Sequence, residues 1–147
     1  MLSLKDQMNN TITLAEKPKR IVSLVPSQTE FLFDIGLENE VVGITKFCIH
    51  PESWFRSKTR VGGTKTINFD KIAALKPDLI IANKEENTQS EIEALQKDYN
   101  VYISDIFTLK DSYQMMADIG DLTDKKEETK RVVEKIKTNF KDLKPFN

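Results

Sequence analysis

The stretch Arg20–Gly36, R-I-V-S-L-V-P-S-Q-T-E-F-L-F-D-I-G, admits few local structures. Ile21 to Val25 is short, almost wholly apolar and rich in β-formers, the pattern of a strand buried on both faces of a sheet. Pro26 stops it. Ser27 followed three residues later by Glu30 has the pattern of a capping box, so a helix is expected to start here. Phe31, Leu32 and Ile35 give that helix an apolar face, and Gly36 suits the left-handed position that ends it. A strand, a tight turn and a helix in this order put a positive helix end at the carboxyl edge of a sheet, where open α/β folds bind ligands. A cleft is expected to begin at Ser27.

The rest of the chain repeats the alternation. Thr11–Leu14 alternates polar and apolar like a half-exposed edge strand, after an Asn9-Asn10 turn. Val41–Ile44 reads as a second buried strand, with Gly43 marking a close approach. From Thr45 to Lys65 periodicity is lost, and a loop of that length in a compact domain is usually functional. Asn68 or Asp70 caps a short helix closed by Lys76-Pro77, Asp78–Ala82 is a third strand, and Asn83–Asn87 a polar loop. Thr88–Lys97 is an amphipathic helix, Val101–Ser104 a fourth strand, and Thr108 caps a helix ending near Gly120. Strands separated by helices imply an α/β fold: a parallel four-stranded sheet with flanking helices, a Rossmann-like lobe. Thr123–Leu143 differs, being a long, charge-dense helix with Val132 or Val133, Ile136, Phe140 and Leu143 in one narrow stripe, ended by Lys144-Pro145. It reads as a strut. The expected division is therefore an α/β lobe over residues 1–122 and a backbone helix over 123–147.

Composition removes several function classes. Lys plus Arg number 22 and Asp plus Glu 23, so no basic excess points to nucleic acid. One cysteine excludes an internal disulfide and a four-cysteine zinc site. The first ten residues lack a secretory apolar core, and no run approaches the length of a membrane span, so no export signal is expected in the chain as it stands. G-G-T-K-T at Gly62–Thr66 lacks the first glycine of a phosphate loop, and no dinucleotide, nucleophile-elbow or H-E-x-x-H pattern is present. With one histidine, one cysteine and no base placed to activate a nucleophile, no enzyme and no catalytic cofactor are expected.

The order P-K-R-I-V-S-L-V-P-S-Q-T-E, V-V-G-I-T, an aromatic loop ending in Pro51, V-G-G, and N-F-D-K-I-A-A-L-K-P-D-L-I-I-A resembles the N-terminal lobe of the helical-backbone (class III) substrate-binding proteins of ABC importers, which bind cobalamin, siderophores and haem. The resemblance covers about residues 4–143 and implies two lobes joined by one long helix, of which the second lobe is missing here. It also implies ligand contacts from Pro26, Ser27 and Gln28, from Lys46, Phe47, Cys48, His50 and Trp54 in the aromatic loop, and from Gly63, Thr64 and Lys65. Phe47 and His50 fall where cobalamin-binding members place tyrosines. Asp70 matches a surface glutamate that docks the lobe on basic permease residues, though here it is one methylene shorter. The family implies a periplasmic or cell-envelope location; the lack of a signal leaves a cytoplasmic relative open.

The loop's chemistry leaves two readings. Cys48 and His50 lie two residues apart and cannot close a zinc site alone. A metal held in a corrin or porphyrin needs only an axial side chain, for which the imidazole of His50 or the thiolate of Cys48 is suited. Equally, Cys48 reads as a small core residue and His50 as a turn residue before proline. Trp54 and Phe55 stand between core and ligand platform. Glu85 and Glu86 follow a strand and read as solvated, as does the Lys- and Glu-rich face of the last helix. The expected function is capture of a metal chelate, cobalamin first and a ferric siderophore or haem next, for delivery to an ABC permease. A self-associating α/β module forming a homodimer through the last helix and the uncovered cleft is the alternative from another class, and a Rossmann-like enzyme fragment is disfavoured by the absent phosphate fingerprint.

Overall fold

The computed structural model describes residues 1–143. The chain opens with an antiparallel hairpin of β1 (Leu2–Lys5) and β2 (Thr11–Leu14), in register Leu2 to Leu14 and Leu4 to Ile12. Only β2 is foreseen from its alternation. The turn between them is held by the buried Asp6, whose carboxylate accepts from the backbone N–H of Met8 and of Asn10, both at 2.9 Å. It also accepts from Ile103 N–H at 3.0 Å, which ties the hairpin to the lobe.

The sheet of the lobe is parallel, as expected, but has five strands rather than four. They are β3 (Ile21–Ser23), β4 (Val41–Ile44), β5 (Thr59–Arg60), β6 (Leu79–Asn83) and β7 (Val101–Ser104), in spatial order β5-β4-β3-β6-β7. The extra strand is two exposed polar residues, too short to carry a periodic signal. From β3 the chain winds outward to β4 and β5, then returns to the other side for β6 and β7. The crevice where the winding reverses, between β3 and β6 at their carboxyl ends, is where such sheets bind ligands.

Helices cover both faces. Ile21, Leu79, Ile81 and Tyr102 pack with Phe31, Leu32 and Ile35 of α1 (Pro26–Asp34), Trp54 of α2 (Glu52–Ser57), and Met115 and Ile119 of α5 (Leu109–Leu122). On the opposite face Val22, Ile80, Ala82 and Ile103 meet Ile72 of α3 (Phe69–Leu75) and Ile92 and Leu95 of α4 (Gln89–Gln96). The final helix, α6 (Lys126–Leu143), packs back on α5.

Four local expectations are corrected. Ser27 does not cap α1: the helix begins at Pro26 with Val25 as its N-cap and no side-chain cap, so Ser27 already lies in the first turn. Proline suits that first position because its φ is preset and its missing N–H would be unpaired there anyway. The Thr45–Lys65 stretch is not all loop, since it contains α2 and β5. Helix α5 runs through Gly120 instead of ending there; the glycine serves the close approach of α6, since a Cβ at that position would sit 2.5 Å from Thr129 Oγ1. Thr123 closes α5, donating its N–H at 3.0 Å and its hydroxyl at 2.7 Å to Ile119 O, and α6 starts only at Lys126 after Asp124 adopts φ +57°. Of the apolar stripe on α6, Val132 packs on the core, Val133 and Ile136 are half-buried and Phe140 is exposed. The expected stop at Lys144-Pro145 lies outside the described residues.

Candidate functional site

The carboxyl ends of β4 and β5 carry the segments expected to face a ligand. Thr45–Ile49 and Val61–Thr66 are laced together by Lys46 N–H donating to Gly62 O at 2.8 Å, while Gly63 N–H donates to Thr66 O at 2.8 Å. Gly62 has φ +106°, and a Cβ there would lie 2.6 Å from Thr66 O, so the turn requires glycine. A Cβ on Gly63 would come to 3.3 Å from Phe47 Cε2 and 3.5 Å from Lys46 Cε. The ring and the lysine stem therefore lie directly on the loop backbone. An open groove of about 930 Å³ results, with Lys46, Phe47, Gly63, Thr64 and Lys65 on its wall and Asp70, in the first turn of α3, on its rim. Phe47 is 55% exposed, and Lys46 Nζ lies 5.3 Å from its ring centroid.

A buried polar layer underlies this edge. Ser104 Oγ at the end of β7 accepts from Gln28 Nε2 at 2.6 Å and Asn83 Nδ2 at 2.9 Å, and donates to Ala82 O at 3.3 Å. Asn83 N–H donates to Asn87 Oδ1 at 2.9 Å, and Asn83 Oδ1 accepts from the N–H groups of Glu85 and Glu86. Asn87 Nδ2 then donates to Leu24 O at 3.1 Å and Thr64 O at 2.9 Å, joining the loops after β3, β5 and β6. The Thr88 hydroxyl donates to Lys65 O at 2.9 Å, and the Lys65 ammonium donates to Glu85 O. The residues Asn83 and Asn87, read from sequence as the ends of a solvated loop, are buried anchors. Their signal was an asparagine closing an otherwise apolar strand, the residue type that bonds its own backbone in turns.

Three residues expected at the ligand face are elsewhere. Cys48 is buried beneath it, its Sγ within 3.2 Å of the Thr29 and Thr45 hydroxyls. Trp54 is fully buried in the core, edge-on to Phe33 at 5.5 Å between centroids, with its indole N–H donating to the Glu38 carboxylate. Gln28 is buried too, and its Oε1 has no partner, so it supports the edge rather than offering a contact. Pro26 and Ser27 stay at the surface on the α1 N-terminus, and His50 is exposed but outside the groove wall. Phe107, in the loop after β7, is exposed at the same edge of the sheet and was not among the residues expected there.

The β7 side also holds the lobe's perturbed carboxylates. Burial raises Asp118, whose Oδ2 accepts from Tyr102 OH at 2.6 Å and whose Oδ1 accepts from Gln114 at 2.8 Å. Burial likewise raises the Tyr102 phenol, further pushed by that bond to Asp118. Asp111 is lowered, chiefly by the Phe107 N–H it accepts. Among the described residues no group of three histidine, cysteine or acidic side chains could hold a metal ion. What the edge presents is a ring face at Phe47, the ammonium groups of Lys46 and Lys65, and helix-end amides.

The family described as periplasmic binding protein matches residues 21–145. The chain belongs to that family. It is 29% identical over 147 residues to an uncharacterized ABC transporter substrate-binding lipoprotein, YvrC, of Bacillus subtilis, covering 97% of this chain and 46% of that protein. It is 34% identical over 103 residues to a vitamin B12-binding protein of Vibrio vulnificus, covering 69% of this chain and 37% of the relative. The crystal structure of the periplasmic vitamin B12 binding protein BtuF of Vibrio cholerae superposes with a TM-score of 0.76 at 29% identity, over 86% of this chain and 49% of that one. The chain thus spans about half the length of these relatives or less. The resemblance read from the ordered motifs, to the N-terminal lobe of helical-backbone receptors of the cobalamin, siderophore and haem type, is borne out, as is the α/β class with a long terminal helix. Among the described residues no helix is long and apolar enough to cross a membrane.

Proposed function

We propose that this chain is the first lobe, with the start of the connecting helix, of an ABC importer's substrate-binding receptor that captures a metal chelate and hands it to the permease without turnover. On this reading residues 1–122 form the lobe, the helix from residue 123 leads to a second lobe, and the protein works at the cell envelope. One observation carries it: Lys46, Phe47 and Gly63–Lys65, chosen as ligand contacts, meet around a single groove at the carboxyl edge of a parallel sheet. Cobalamin is the first ligand to test, supported by the likeness to vitamin B12-binding proteins. Phe47 offers a ring face to a corrin, and the exposed His50 offers an imidazole to an axial position. Asp70, exposed on the groove rim at the start of α3, is the contact for basic permease residues.

A second ligand class has its own support. Lys46 and Lys65 stand on the groove wall, and neither has a carboxylate within 4.0 Å among the described residues. Two such ammonium groups favour an anionic chelate, a ferric siderophore or haem. Titrating the chain with cyanocobalamin, haem and a ferric catecholate while following the visible spectrum separates the two. Saturable change with cobalamin alone supports the first reading and with the anionic chelates alone the second. No change with any of them refutes both.

A further inference from the structure

Phe107 is the most exposed aromatic side chain among the described residues, with 76% of its surface open. Its backbone is nonetheless well held. Thr108 caps α5 in a reciprocal capping box with Asp111, and Phe107 N–H donates to Asp111 Oδ2 at 3.0 Å. An apolar residue just before a helix cap usually folds back on the fourth helical residue, forming a hydrophobic staple. That residue is Ser112, so the ring lacks this partner and stands out from a fixed base. Leu109 beside it is also exposed.

A single exposed phenyl ring needs no explanation in general. This one has a particular place: the carboxyl end of β7, on the same edge of the sheet as Phe47 after β4. Strands β3 and β6 lie between, so the two loops spring from strands three spacings apart, about 14 Å. The ring also borders a recess of about 450 Å³ whose other lining side chains are all polar, among them Asp6 of the hairpin turn, Asp105, Asp111 and Gln114, so Phe107 is its one apolar wall. Between the two rings lies the reversal point of the sheet, with the α1 N-terminus and Asn83–Asn87.

We propose that Phe107 is a second aromatic contact for the captured ligand, and that this ligand is a chelate broad enough to touch Phe47 and Phe107 together. The inference rests on the metal-chelate reading above and sharpens it toward a corrin or porphyrin bearing peripheral substituents, rather than a small ferric chelate. Rings held on an ordered backbone supply contact area with only two side-chain torsions to immobilise, and their faces match a planar π system.

The test compares the 147-residue chain with its Phe107→Ala, Phe107→Tyr and Phe47→Ala variants, titrated with cyanocobalamin, haem and ferric citrate, with thermal melts to verify folding. Phe107→Ala should bind the large chelate about tenfold more weakly, Phe107→Tyr should keep most of the affinity, and neither should alter the response to ferric citrate. Unchanged affinity in Phe107→Ala beside a loss in Phe47→Ala overturns the inference while sparing the metal-chelate reading. Equal losses for the large and small chelates overturn the breadth requirement. Failure of the unaltered chain to bind any of the three overturns the metal-chelate reading itself, and the inference with it.

Discussion

Asn87 donates its side-chain amide to the carbonyl of Thr64 at 2.9 Å, across a sequence separation of 23 residues. The same amide nitrogen reaches Leu24 O, and its oxygen accepts from Asn83 N–H. One buried side chain therefore sets the positions of three loops at the ligand edge. Replacing it with alanine leaves two carbonyls and one N–H without these partners. Asn87→Ala should cost about 3 kcal/mol in denaturant unfolding and weaken ligand binding as well. A loss below about 0.5 kcal/mol would mean that water substitutes for the amide.

Two aromatics of the Thr45–Lys65 stretch, Trp54 and Phe47, should behave oppositely. Trp54→Ala empties a core position and is expected to lower stability by about 3–5 kcal/mol. Phe47→Ala removes a half-open ring and should leave the melting temperature almost unchanged while reducing affinity. Comparable melting shifts for both would place Phe47 in the core rather than at the site.

The contact between α5 and α6 requires a residue without a Cβ. Gly120→Ala should destabilise by about 1–3 kcal/mol through overpacking against Thr129, despite alanine's better helix propensity. Adding Thr129→Ala removes the opposing hydroxyl and should restore part of the loss, visible as non-additivity in a double-mutant cycle. Strict additivity would refute the contact.

Asp118 gives the pH dependence its sign. Its carboxyl is raised by burial, so between the ordinary aspartate value, about 3.9, and its folded value the native state binds more protons than the unfolded one. Its contribution therefore favours folding at acid pH and declines as pH rises through that window. Asp118→Asn, which cannot ionise, should compare more favourably with the unaltered chain at pH 7 than at pH 3.5, measured by urea unfolding at each pH. The opposite trend would show that the Tyr102 and Gln114 bonds to the carboxylate outweigh its burial.

Much of the fold was legible because its signals are local. Ile21–Ser23, Val41–Ile44, Leu79–Asn83 and Val101–Ser104 announce themselves as short apolar runs, and Asn68 and Thr108 cap the helices that their side-chain chemistry predicts. The loss of periodicity marked the Thr45–Lys65 stretch, and the resemblance to the receptor family singled out Phe47 and Gly63 within it. Errors arose where two local signals competed. Ser27 and Glu30 have the spacing of a capping box, but Pro26 is already a good first helical residue, so the N-cap is Val25 and the helix starts two residues earlier. Cys48 and Trp54 sit in the same irregular stretch as Phe47, and nothing in their spacing separates them.

The order of residues by itself determined the succession of strands and helices, the parallel sheet that follows from it, and the edge at which a ligand would be met. Backbone propensity and turn chemistry act over a few residues, so they can be read in one dimension. The tertiary structure alone decided which side chains at that edge face outward. Phe47 and Phe107 are exposed while Trp54, Cys48 and Gln28 are sealed, because burial depends on which helix closes over each position, and that is set by contacts between segments distant in the chain.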